Sequence, residues 1–142
     1  MTQSTPKTLI LAALRATLIA LPLAVSLSAC ATMSPAEQAA MTIEAERPIT
    51  CSGGADCELK WGRSLQWVLN NCTYKIQTQS EAMISTMGPL PDDPSPAFTI
   101  TKTSDGHGGY VIDFRGGCDN MFGCQPSLLD SKASFARAVL RD

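Results

Sequence analysis

Cysteine is the residue type whose number and spacing carry the most chemistry in this chain. There are six among 142 residues. Two pairs share one spacing, Cys51-x5-Cys57 and Cys118-x5-Cys124, and Cys72 stands between them. Both intervening stretches are rich in Gly, Asp or Asn, which bend readily. Each pair could therefore close on itself, which is the preferred pairing. Cross-pairing between the two stretches is the rival, and spacing does not decide between them. A four-thiolate zinc site is the sharper alternative. Structural zinc usually spaces its ligands by two to four residues, and oxidation in an exported chain competes for the thiols. Two structural disulfides are expected, with no metal and no cofactor. A thioredoxin-like site would require Cys-x-x-Cys, which is absent. Cys57 falls near the start of an expected helix, where a thiolate is stabilised, but a structural disulfide is still its expected role.

The other reactive residue types are isolated. His107 is the one histidine. General acid–base work normally needs a positioned partner. Asp105 is near in sequence, but both lie in the glycine-rich turn Ser104-Asp105-Gly106-His107-Gly108-Gly109. Asp92-Asp93 sits among prolines and reads as a solvated loop without calcium-loop spacing. The Gly106–Gly109 turn lacks the Lys-Ser/Thr of a phosphate loop, and Gly-x-Ser-x-Gly is absent. No catalytic residues are expected, and the chain is not read as an enzyme.

The leader gives the most specific signal. Residues 1–15 carry Lys7 and Arg15 and no acid, and Ala16 to Leu27 form an apolar core. That core holds about 12 residues, short of the roughly 20 that span a bilayer. An uncleaved membrane helix is the rival reading, but it would place Arg15 within the span at a cost of about 2.5–3.5 kcal/mol. Leu27-Ser28-Ala29-Cys30 then resembles the lipobox of bacterial lipoproteins at all four positions. The resemblance covers residues 1–30. It implies cleavage before Cys30, a diacylglyceryl thioether on its sulfur and an acyl group on its freed amine. One acyl chain binds a bilayer only marginally, and several anchor stably. Ordinary cleavage after Ala29, leaving a plain Cys30 thiol, is the alternative. Ala31 takes the place of the aspartate that retains lipoproteins at the inner membrane of Gram-negative bacteria. The resemblance thus implies an outer-membrane address facing the periplasm. The Cys51–Trp61 stretch and Asn120-Met121-Phe122-Gly123-Cys124 also resemble small uncharacterised bacterial lipoproteins, a resemblance that brings no active residues with it.

Composition narrows the partners. The whole chain has a net charge of −2. Losing residues 1–29 removes two basic residues and no acids, so the mature chain is more acidic still. Its lysines and arginines are scattered singly, which excludes nucleic acid as an expected partner. The membrane, through the lipid, is the expected anchor, with an envelope protein or the cell wall as partner. A small-ligand- or metal-binding periplasmic lipoprotein is the alternative function.

These residues need elements to position them. Residues 30–50 read as a lipidated tether holding a short helix. Ser34-Pro35-Ala36-Glu37 is a capping box with Pro at the first helical position. Residues 51–142 read as the domain. A main helix is expected over Asp56–Cys72, N-capped by Asp56. Trp61, Leu65, Val68, Leu69 and Cys72 would form its core face, with Trp67 nearer the surface. Gly62 would permit close packing. Strand-like alternation follows at Tyr74–Thr78, with Tyr74, Ile76 and Thr78 on one face. Further strands are expected at Ala82–Met87, Phe98–Thr103 and Tyr110–Arg115. Gly88–Pro96 is a loop, and Ser127 caps a last helix through Leu140. Order and patterning predict a two-layer α+β domain stapled by disulfides. It would have a 3–4-stranded antiparallel sheet, one helix before it and one after. One sheet face, with Gln77, Thr99, Thr101 and Asp113, would be solvated or meet a partner.

Overall fold

In the computed structural model, which describes residues 33–141, the first element starts where its capping residues place it. The Ser34 hydroxyl accepts the Glu37 N–H, and the Glu37 carboxylate accepts the Ser34 N–H. Helix α1 (Pro35–Ala45) follows and packs on the last helix. Strand β1 (Ile49–Ser52) then pairs antiparallel with a strand more than fifty residues on. The stretch expected to be a tether is therefore part of the domain from Pro35 onward. A four-residue strand is too short for periodicity to reveal, and only its distant partner defines it.

Helix α2 (Gly54–Asn71) begins two residues before the expected start. Its N-cap is Gly53 at φ 82°, and Asp56 lies inside the first turn. There the Asp56 carboxylate accepts the Ser52 N–H and the Lys60 ammonium, both at 3.1 Å, joining β1 to α2. Strands β2 (Ile76–Gln79), β3 (Met83–Thr86), β4 (Ala97–Ser104) and β5 (Gly109–Gly117) follow, then helix α3 (Leu128–Leu140). The Ser127 hydroxyl caps α3 by accepting the Asp130 N–H.

All strand pairs are antiparallel, in the order β1-β5-β4-β3-β2. The domain is α+β, and β1 is the strand beyond the expected three or four. Ile49, Ile84, Phe98, Ile100, Ile112 and Phe114 project from the sheet to meet Trp67 and Val68 of α2 and Phe135, Ala136 and Val139 of α3. Each such side chain contributes about 1.5–3 kcal/mol by leaving water.

Trp61 packs against the core as expected, half-buried, whereas Trp67, expected nearer the surface, lies at the core's centre. Trp67 is 5% exposed, with its ring edge-on to Phe98, Phe114 and Phe135. Trp61 is half-buried, and Leu69 is 59% exposed. The buried face of α2 is centred on Cys57, Ser64, Trp67 and Val68. Counting apolar residues alone missed Ser64, which is fully buried because its hydroxyl donates to the Lys60 carbonyl within the helix.

A second departure lies at the sheet edge. Ile76 pairs with Thr86 but Thr78 pairs with Ser85, so one residue is bulged between them. A bulge reverses the side-chain alternation, and Ile76 and Thr78 take opposite faces. Gly62 departs as well: a Cβ there would meet nothing within 4 Å, so close packing does not account for it. Gly88 is the contrary case. It has φ 86°, and a Cβ would lie 2.9 Å from the Tyr74 ring.

Candidate functional site

Among the described residues the helices cover one face of the sheet, and no second layer covers the other. Strand register sets what that open face displays. Met83, Thr101 and Asp113 lie in one cross-strand row, and Ser85, Thr99 and Arg115 in the next. Thr50, Val111 and Thr103 form a third. Threonine suits this position because its branched Cβ fits the pleat while its hydroxyl faces water. Thr99 and Thr101 are half-buried by their neighbours alone. Among the described residues the one ion pair on the face, Arg115 Nε to Asp113 Oδ2 at 3.2 Å, is exposed. Such pairs contribute about 0–1 kcal/mol. The surface is hydroxyl-rich and bears Val111 and Met83, each 40% exposed. It offers hydrogen bonds and flat contact area.

The cysteines pair locally. Cys51–Cys57 ties β1 to the first turn of α2, and Cys118–Cys124 closes the loop between β5 and α3. Asn120 donates from Nδ2 to the Asp92 carbonyl, and the Gln125 N–H donates to the Pro94 carbonyl, each at 2.8 Å. These contacts fasten the second closed loop to the Gly88–Pro96 segment. At its tip Met121 and Phe122 are 88% and 86% exposed. Cys72 is free, sits at the C-cap of α2 and is half-buried beside the core. Its Sγ lies 3.6 Å from the Pro96 carbonyl. Cys30 lies outside the described residues.

The titratable groups act as braces. The Asp93 carboxylate accepts the Ser95 N–H and the Tyr74 hydroxyl, both at 2.8 Å. The Ser95 backbone bond in particular holds its pKa below the ordinary value. Burial first, and then the Asp93 charge, raises the Tyr74 phenol. Asp93 is thus half-buried and organises the loop that the sequence read as merely solvated. The Ser52 N–H first, and then Lys60, lowers Asp56. His107 is exposed, and Asp105 accepts the backbone N–H groups of His107 and Gly109. That ties Asp105 to the turn. Among the described residues no three of His, Cys, Asp and Glu gather as metal ligands, and no helix is long and apolar enough to cross a membrane.

The architecture defines an α+β domain with a five-stranded antiparallel open sheet, stapled by two disulfides. No family model matches the chain, and no curated protein or solved structure matches it.

Proposed function

We propose that this chain is a lipid-anchored cell-envelope lipoprotein whose folded domain works by binding and not by catalysis. The lipobox resemblance at Leu27–Cys30 supports the anchor, and Ala31 supports the outer-membrane address. The binding role rests on one observation, the open hydroxyl-rich sheet face with its Thr99–Thr101–Thr103 row. A face without a covering layer normally meets water or a partner. Its threonine hydroxyls and exposed Val111 and Met83 suit a flat partner surface, an envelope protein or the cell wall.

Two measurements test this reading. Membrane fractions from cells fed labelled palmitate should contain the labelled chain, and Cys30→Ser should be unlabelled and released. Label retained by Cys30→Ser would refute the anchor. A photocrosslinking side chain placed at Thr101 should give one defined adduct in intact cells, and one placed at Asn70 on α2 should give none. Equal crosslinking from the two positions, or none from Thr101, would refute the sheet-face reading.

A further inference from the structure

We infer that the groove at the N-terminal end of α2 binds a neutral saccharide. It lies on the helix side of the sheet, so it is separate from the open face and does not rest on that reading. Its walls are Trp61 of α2 and Tyr110 of β5, with Lys102 of β4 between them. Its volume is about 540 Å³, within the ~300–1,000 Å³ typical of small-molecule sites.

The strand positions on this side alternate inward. Farther along the same strands they hold the fully buried Ile100 and Ile112. At the groove the same alternation ends in Lys102 and Tyr110, one half-buried and the other exposed. The Lys102 ammonium lies 5.1 Å from the Trp61 ring centre and 5.6 Å from that of Tyr110. Cation–π attraction holds it there, and among the described residues no acid pairs with it. The structure thus brings together two aromatic rings, each with the Lys102 ammonium over one face, and a donor that no acid neutralises.

The space in front of them is kept empty by glycine. Gly62 lies inside an 18-residue helix, where glycine costs about 1 kcal/mol relative to alanine. No neighbour lies within 4 Å of the Cβ it lacks, nor of those missing from Gly53 and Gly54. Packing therefore does not explain Gly62, whereas an unobstructed groove does.

The polar groups select the ligand class. Lys102 donates, while Glu58 and Glu81 at the margin accept. Mixed signs do not suit a phosphate or a polyanion, which need clustered cations. They do suit hydroxyl groups, each of which both donates and accepts. The C–H face of a sugar ring is apolar and can lie on an indole or phenol ring. A peptide bound by strand addition would need a free strand edge. Both strands in the groove are internal, since β5 lies between β1 and β4, and β4 between β5 and β3.

The test uses the full chain in a non-glycosidic detergent, titrated with the tetramer of N-acetylglucosamine and with cellotetraose. Calorimetry measures binding, and tryptophan emission reports on Trp61. At least one tetramer should bind saturably and shift the emission. Tyr110→Ala and Gly62→Leu should each weaken binding by about tenfold or more. Gly62→Leu should unfold no earlier than the parent, because leucine is the better helix former. That separates loss of the groove from loss of the fold. Asn70→Lys, exposed near the far end of α2 and outside the groove, should bind as the parent does. Absence of heat and emission change up to about 10 mM of both tetramers would overturn the inference. So would binding that survives Tyr110→Ala and Gly62→Leu, or saturable binding of tetra-alanine in place of the sugars.

Discussion

Trp67→Ala should remove more stability than any other single truncation in the domain. The indole is 5% exposed, and its centre lies 5.1, 5.7 and 5.4 Å from the rings of Phe98, Phe114 and Phe135. Its Nε1–H donates to the Ser134 hydroxyl at 3.1 Å. Truncating a buried aromatic to alanine costs about 3–5 kcal/mol. The three edge-on contacts and the orphaned Ser134 hydroxyl place this site near the upper end, about 4–5 kcal/mol. Domains of this size are stable by about 5–15 kcal/mol, so the variant should lie close to unfolding at 37 °C. With a urea m-value of about 1–3 kcal/mol/M, the midpoint should fall by roughly 1.3–5 M. Far-UV circular dichroism under non-reducing conditions follows the transition independently of tryptophan emission. Trp61→Ala is the internal control. Trp61 is half-buried and bonded only to the exposed Ser80 carbonyl, so its loss should cost about 1–2 kcal/mol. If Trp61→Ala proved as costly as Trp67→Ala, the assignment of Trp67 as the centre of the core would be refuted.

Other outcomes follow from single groups. Peptide mapping without reductant should recover Cys51–Cys57 and Cys118–Cys124, and opening either by Cys→Ser should cost about 2 kcal/mol for so short a loop; cross-linked peptides would contradict the fold. Ser131 is 2% exposed, and its hydroxyl has no partner among the described residues. Ser131→Ala should therefore leave stability equal or raise it by about 1 kcal/mol, and a large loss would reveal a missed contact. Asp56 has a folded pKa below its ordinary 3.8, so its contribution is present above that value and fades as pH falls through the lowered one. Asp56→Asn should flatten the acid limb of a stability profile below about pH 4, and an unchanged acid limb would argue against the Ser52 and Lys60 bonds. Cys72, half-buried at the end of α2, should alkylate more slowly in the native protein than after denaturation. Equal rates would place it in open solvent.

Local signals settled local structure. The capping box at Ser34 and Glu37, the Ser127 cap and the proline-rich loop each depend on neighbours a few residues away, and all are legible in order along the chain. The alternation at Phe98–Thr103 and Tyr110–Arg115 likewise defined two central strands and the face their threonines would share. The cysteine spacing favoured local pairs, because nearby residues in a bending stretch meet often. The lipobox resemblance is also local, and it bears on the proposed address rather than on the fold.

What the tertiary structure decided depends on distant partners. Ile49–Ser52 is a strand because β5 lies beside it, and four residues alone do not favour that conformation over a tether. Apolar spacing identified the buried face of α2 through Trp61, Leu65, Val68 and Cys72, but missed Ser64 and Trp67 and wrongly included Leu69. Ser64 is buried with its hydroxyl satisfied within the helix, and the packed elements place Trp67 in the core and Trp61 at the groove. The bulge at β2 reverses a face through one residue, which no periodicity count registers. The groove itself combines residues from α2, β4 and β5 that are remote in sequence, so Gly62 gained a meaning only when the space beside it proved empty. Short-range hydrogen bonding and steric preference act within a few residues and can be read from sequence order. Burial is shared among elements, and only the packed molecule fixes which side chains it includes.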